Sequence, residues 1–244
     1  MILLDYEADR FGGAILSSEK LPVLSDYKNI LENTISELRK NGIKLLWLFL
    51  PIDRADLVEL SVNAGFTYHH ADAKGIQLTL ALIPGAFIPD YATHYLGAGG
   101  VLVDDENRIL VIQEKHHTRR HYKLPGGALD PNEHIAHAVV REVREETGIE
   151  SEFISLNCFR HWHGYRYGKS DIYFVCRLKP LSHDITLDPN EIAEALWMPL
   201  DDYLNHPDTH PFNIKIVKTA LSSRGLKTEE IEGYGTPESH EMMF

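Results

Sequence analysis

Residues 141–146 read Arg-Glu-Val-Arg-Glu-Glu, and the segment around them alternates apolar and charged residues with helical spacing, which predicts a helix over about His134 to Thr147. Counting about 100° per residue from Ile135, the apolar Ala138, Val139 and Val143 fall at about 300°, 40° and 80°. Glu142, Glu145 and Glu146 fall at about 340°, 280° and 20°, so they extend the apolar stripe instead of facing solvent. Arg144, at about 180°, takes the solvent side. Three carboxylates within an arc of roughly 100° repel one another and resist burial. One arginine, Arg141, cannot neutralise all three. Hard divalent cations take several oxygen ligands, and Mg²⁺ in particular bridges one or two carboxylates to phosphate groups. The cluster therefore points to metal-assisted chemistry on a phosphate. The alternative, a salt-bridged surface helix, does not suit these angles.

The flanking residues are consistent with that chemistry. Gly126-Gly127 lets the main chain approach a metal or phosphate closely. Asp130-Pro131-Asn132-Glu133 can start the helix, with Pro131 near the first turn and Glu133 at the positive end of the dipole. Between Lys115 and Lys123 lies a basic loop, in which Arg119, Arg120 and Lys123 are candidate substrate-binding residues. A solvated surface connection is the equally ordinary reading of that loop.

These elements need a scaffold, and 244 residues with 43% hydrophobic side chains suffice for one large domain or two small ones. The first ninety residues read as a compact α/β unit in the order β, β, α, β, α, β, β. Ser25 is a candidate cap for a helix over 26–41, Asn41-Gly42 ends it, and a strand runs from Ile43 to Leu50. Asp53 is placed to cap a second helix that reaches Ala64, and strands follow at Phe66 to His70 and Gly75 to Leu82. Residues 83–90, with two prolines and a glycine, suit a linker. Beyond it come strands at Tyr95 to Val103 and Ile109 to Gln113, separated by a polar turn of hairpin length. The helix with the glutamates follows, then strands around Phe153 to Tyr165, Asp171 to Leu178 and Ala195 to Met198, and a helix over Asn213 to Ser223. The expected division is 1–90, 91–225 and a polar, partly disordered tail over 226–244.

The formal charge of −12 argues against nucleic acid and anionic membranes as partners, since both require net attraction to phosphate. A small phosphate ester needs only local cations. No apolar run reaches membrane-spanning length and the start lacks a secretory pattern, so a cytoplasmic protein is expected. Cys158 and Cys176 both fall in expected strands and read as buried thiols, not a disulfide.

Gly127, five residues, Glu133, seven residues, and then Arg141 to Ile149 match the fixed positions of the Nudix box, nine specified positions across 23 residues. The chain so resembles the Nudix hydrolase family. The similarity continues at Ala64-Gly65-Phe66, at Pro89 to His94 and at Ser170 to Leu178. Those stretches resemble the subgroup with an N-terminal pre-Nudix domain, which includes the fibroblast growth factor antisense Nudix protein and plant ADP-ribose and NADH hydrolases. The resemblance covers about residues 1–225. It implies an α/β/α sandwich with a mixed sheet, and Mg²⁺ or Mn²⁺ held by Glu142, Glu145 and Glu146 with the Gly126 carbonyl as a further ligand. It also implies that Arg141 and Glu133 orient the carboxylates.

Hydrolysis needs a base to take a proton from water, and Glu145 is one candidate. In several family members a later loop supplies the base, and Glu191 is favoured there over Glu194. Subgroup membership points to the pyrophosphate bond of ADP-ribose or NADH. Dinucleoside polyphosphates, coenzyme A, or nucleotide sensing without catalysis are the alternatives. Tyr165 and Tyr167 are candidates to stack on a base or ribose, or else simply line a strand beside Phe159 and Trp162. The N-terminal unit resembles the late part of acyl-CoA N-acetyltransferase folds without their glycine-rich turn, so its expected work is dimerisation or shaping of the nucleotide site.

Overall fold

The computed structural model describes residues 2–116, 121–236 and 238–244. The chain divides into two compact units, Met1–Ala92 and Thr93–Phe244.

The first unit is a mixed five-stranded sheet with helices packed on it. Its strands β1 (Tyr6–Ala8), β2 (Gly13–Leu16), β3 (Leu45–Pro51), β4 (Thr67–Asp72) and β5 (Gly75–Ala81) lie in the order β1-β2-β3-β5-β4. Helix α1 (Leu24–Lys40) buries Tyr27, Leu31, Thr34, Ile35 and Leu38, the three-and-four spacing that gives a helix one apolar face. Leu46, Leu48 and Leu50 alternate along β3 into the same core. Two capping expectations are corrected. Val23 precedes α1 without a side-chain cap, and the Ser25 hydroxyl turns to Asp26 instead. Asp53 lies inside a tight 3₁₀ turn, Ile52–Leu57, which feeds the short helix α2 (Val58–Asn63).

The second unit is an α/β/α sandwich. It contains β6 (His94–Leu102), β7 (Arg108–Glu114), β8 (Gly126–Ala128), α3 (Ile135–Thr147), β9 (Ser151–Trp162) and β10 (Ser170–Pro180). β11 (Ile192–Pro199), α4 (Leu200–Asn205) and α5 (Pro211–Ser222) complete it. One sheet runs β8-β6-β10-β9 with β6 and β10 parallel, and β7 pairs antiparallel with β11. The period of two in the strands sorts their side chains between two cores. Ala98, Leu102, Leu110, Cys176 and Leu178 pack with Val139 and Val143 of α3. Val101, Ile109, Val111 and Val175 pack with Ile216, Val217 and Ala220 of α5 on the other side.

Three expectations for this unit change. β6 and β7 do not form a hairpin ladder: just beyond β6, Val103 bridges to Ile109, and β7 pairs with β11. The turn between them is organised by buried Asp104, which accepts from the Glu106 and Arg108 N–H groups and from the Arg108 guanidinium. Parts of the tail are paired: Leu226 bridges to Leu156 on β9, and Thr228 bridges to Met243. Both cysteines are free, but only Cys176 is fully buried, and Cys158 is half-buried. Among the described residues no helix is long and apolar enough to cross a membrane.

Candidate active site

α3 presents the glutamates, and the strand-like segment β8 faces it. Gly126 adopts φ +147°, and a Cβ there would lie 2.3 Å from the Ala98 carbonyl oxygen, so only glycine fits. At Gly127 a Cβ would lie 2.6 Å from Oε2 of Glu142, so its missing side chain makes room for that carboxylate. The paired glycines thus serve the helix across from them.

The start of α3 is not built as the local sequence suggests. His134 occupies the cap position and makes no capping bond. Glu241 supplies it from the far end of the chain, accepting from the N–H of Ile135 at 2.9 Å and of Ala136 at 3.1 Å. Residues 130–133 lie before the helix, with Asn132 at φ 65°. Glu133 turns back to Arg141 instead of facing the helix dipole.

Arg141 is the hub. Its Nε and Nη2 each donate to Glu133 at 2.8 Å, and Nη1 donates to Glu142 and Glu145 at 2.9 Å each. This bidentate pairing holds the Glu133 carboxyl below the usual range. Burial pushes Glu142 up, opposed by Arg141. Glu146 is only 6% exposed and accepts the Gly126 N–H at 2.7 Å. Burial pushes its carboxyl up to about 7, against the pull of the Lys123 charge and the Gly126 bond. The side chain of Glu145 is 54% exposed, so the angular reading placed it deeper than it lies. Arg144 is exposed, as its angle requires.

The other candidates are dispersed. Lys123 is ion-paired with Glu114 and borders a cavity of about 780 Å³ beside Gly126. Tyr165 stands outside that cavity lining, with its ring 5.5 Å from Trp162 and 5.7 Å from Tyr95. Glu191 precedes β11, where its carbonyl accepts from the Lys115 N–H at 2.8 Å and its side chain is exposed. The Glu194 carboxylate accepts from the Tyr122 hydroxyl at 3.0 Å. Arg119 and Arg120 lie outside the described residues.

Residues 93–220 match the family described as the NUDIX domain, and residues 4–82 match the Nudix hydrolase domain. Nudix hydrolase 8 of Arabidopsis thaliana is 38% identical over 212 residues, covering 84% of this chain and 57% of its own length. Nucleoside diphosphate-linked moiety X motif 6 of Homo sapiens is 35% identical over 227 residues, covering 89% of this chain and 72% of its own. The chain belongs to the Nudix hydrolase family. It spans little more than half the length of the Arabidopsis Nudix relative. An N-terminal Nudix-hydrolase-like domain precedes its NUDIX domain, as the resemblance implied. Among solved structures, a NUDIX hydrolase from Nitrosomonas europaea aligns with 52% of this chain and 88% of its own, at 26% identity and a TM-score of 0.46. The family assignment rests on the sequence matches.

Nudix hydrolases generally use divalent metal ions, and the donors here suit one chemically. All are hard oxygens, and Glu146 is buried with no ion-pair partner among the described residues. As arranged, however, no three acidic, histidine or cysteine side chains among the described residues form a cage for an ion. Arg141 Nη1 sits between Glu142 and Glu145 and donates to both.

The sequence reading missed Arg160, Trp162 in its cavity-facing role, and Phe212, all of which line the cavity. A signal was available for the first two. Residues two apart on a strand share a face, and Arg160 and Trp162 follow Cys158, which packs toward α5.

Proposed function

We propose that this chain hydrolyses the pyrophosphate bond of a nucleoside diphosphate derivative, with ADP-ribose and NADH as the leading substrates. The observation that carries the reading is the buried Glu146 carboxylate, tied to the Gly126 N–H and, among the described residues, without an ion-pair partner. A fold keeps such a costly group where a cation is to be bound. Glu142, Glu145, Glu146 and the Gly126 carbonyl would hold Mg²⁺ or Mn²⁺. When bound, that ion neutralises the phosphate oxygens and makes phosphorus more open to attack.

The chain's own residues do the rest. Arg141 keeps Glu142 and Glu145 on one side of α3, and Glu133 fixes the plane of the Arg141 guanidinium by two parallel bonds. Glu145, the most exposed of the three glutamates on α3, would take a proton from the attacking water. Glu191 is the alternative base, supplied from the loop before β11. The water oxygen forms a bond to one phosphorus while the bridging P–O bond breaks, and the bridging oxygen leaves on the second phosphate. ADP-ribose then gives AMP and ribose 5-phosphate.

The test is a screen of the purified chain with Mg²⁺ and with Mn²⁺ against ADP-ribose, NADH, coenzyme A, dinucleoside polyphosphates and nucleoside triphosphates. Release of AMP from ADP-ribose or NADH is expected. Turnover of triphosphates alone would remove the substrate assignment, and no turnover with either metal would favour a sensing role.

A further inference from the structure

An α-helix leaves its first N–H groups without partners inside the helix, and a polar side chain just ahead of it usually accepts from them. Ahead of α3 such residues are present, but they are engaged elsewhere. Glu133 accepts from Arg141 at 2.8 Å on each oxygen and from the Asp130 N–H at 3.0 Å. The Asp130 carboxylate lies 4.0 Å from Arg141 Nε. Asn132, at φ 65°, sits in the turn that the Glu133 N–H closes on the Asp130 carbonyl at 3.1 Å. His134, in the cap position itself, makes no capping bond. The residues that clasp Arg141 from upstream thus leave the start of α3 to be capped from elsewhere.

The C-terminal segment provides that cap by pairing with itself. Lys227 and Phe244 exchange both backbone bonds, at 2.8 and 3.0 Å, and the Glu229 N–H donates to the Met242 carbonyl at 3.0 Å. Leu226 exchanges two more with Leu156, which fastens the pair to β9. Gly225 leads the chain into it at φ +67°, where a Cβ would lie 2.6 Å from that of Ser155. Glu241, next to Met242, is thereby delivered to Ile135 and Ala136. Each of its oxygens takes one N–H, and its charge meets the positive end of the helix. Among the described residues none of 226–244 is buried in a hydrophobic core, so a change at Glu241 opens no cavity.

We propose that Glu241 is a positioning residue for the glutamate cluster, and that the C-terminal hairpin is a working part of the site. By holding the first turn of α3, Glu241 keeps Glu133, just upstream, against Arg141, and so keeps Arg141 bonded to Glu142 and Glu145. The inference rests on the pyrophosphate reading for its effect on turnover. The clasp itself is observable in the metal-free chain.

In the full chain in EDTA, the NMR signal of the Arg141 Nε–H, assigned by its absence in Arg141→Lys, reports the bond to Glu133 through its exchange with water. Glu241→Gln keeps an acceptor but loses the charge and the second acceptor, and should speed that exchange by about fivefold, the size of a lost N-cap. Glu241→Asp keeps the charge and should lie nearer wild type. Tyr27→Phe, which removes a hydrogen bond to Ser61 in the other unit, should leave the exchange unchanged. With Mg²⁺ and whichever pyrophosphate the chain cleaves, Glu241→Gln should lower kcat by at least about fivefold and keep KM within about twofold. Glu133→Gln should lower kcat by itself, and adding Glu241→Gln should lower it little further, because both act through Arg141. Unchanged Arg141 exchange or unchanged kcat in Glu241→Gln, an equal change of exchange in Tyr27→Phe, or losses that multiply in the double variant overturn the proposal. Faster Arg141 exchange in a chain that cleaves no pyrophosphate leaves the positioning role standing and removes the hydrolytic reading instead.

Discussion

The two units bury different polar groups. In Met1–Ala92 the buried polar side chains are Thr34, Ser61 and Thr79, all neutral hydroxyls. In Thr93–Phe244 they include three carboxylates, Asp104, Glu146 and Asp171. A buried hydroxyl is satisfied by one or two neighbours, as when Tyr27 meets Ser61 at 2.7 Å and Ser61 bonds the Leu57 carbonyl. A buried carboxylate needs a cation or several donors. Asp104 and Asp171 have arginines, Arg108 and Arg160. Among the described residues Glu146 has a backbone N–H and the more distant field of Lys123. The contrast is one of charge: the buried polar side chains described in the N-terminal unit are neutral, and the C-terminal unit buries carboxylates, one of them without an ion-pair partner among the described residues.

The largest expected effect lies at the exposed edge of the glutamate cluster. Glu145→Gln should lower kcat by roughly 10² or more, the size of losing a base or a charge that stabilises the transition state. Arg144→Gln, one residue away on the solvent side, should leave kcat within about twofold. The metal-free fold should barely notice Glu145→Gln, because the pair lost with Arg141 is half exposed. Normal turnover in Glu145→Gln with a damaged but folded Arg144→Gln enzyme would invert the face assignment.

A smaller effect is expected at Glu146, in stability measured without metal. Its folded pKa is raised from 4.5 to about 7, so the ionised form is the disfavoured one in the fold. Stability should be highest below about pH 4.5 as far as this group is concerned, and should fall as pH rises toward 7. Glu146→Gln keeps an acceptor for the Gly126 N–H and removes the charge. Denaturant unfolding in EDTA at about pH 8 should show it more stable than wild type by up to about 3 kcal/mol. The gain should vanish near pH 4. Equal stability at both pH values would mean that the carboxylate is compensated in a way the cluster does not reveal.

The smallest effect sharpens the other side of the contrast. Tyr27→Phe removes the hydrogen bond to Ser61 in the N-terminal core and should cost about 1 kcal/mol. Ser61 keeps its bond to Leu57, and burial pushes the Tyr27 hydroxyl further above its usual range. The loss should therefore be the same from about pH 4 to 8, with no change in kcat. A pH-dependent loss would show that charge reaches this core after all.

Much of this was legible in the residues, and the failures have physical causes. The apolar stripe of α3 and the burial of Glu146 followed from angle alone, because a helix has one period. Glu145 was placed too deep, because a helical wheel does not show how far a neighbouring element extends over the stripe, and here Arg141 lies there instead. The strand pattern around Phe153 to Leu178 gave β9 and β10, but not the separation of β6 from β7, since a turn of hairpin length does not specify which strand will be the partner. Ser25 and Asp53 looked like caps because their residue types favour that role, yet backbone context assigned them elsewhere. Phe212 reaches the cavity from α5, some fifty residues after Arg160, and carries no local signal. The same holds for Glu241.

That last residue ties the timing of synthesis to the active helix. The carboxylate that caps α3 lies 105 and 106 residues after the N–H groups it serves. At roughly 5–20 residues per second, it leaves the ribosome on the order of 5–20 s after them. A helix of 13 residues is marginal by itself in water. On the growing chain, then, the glutamate-bearing helix goes without the partner of its first N–H groups until Glu241 has been made.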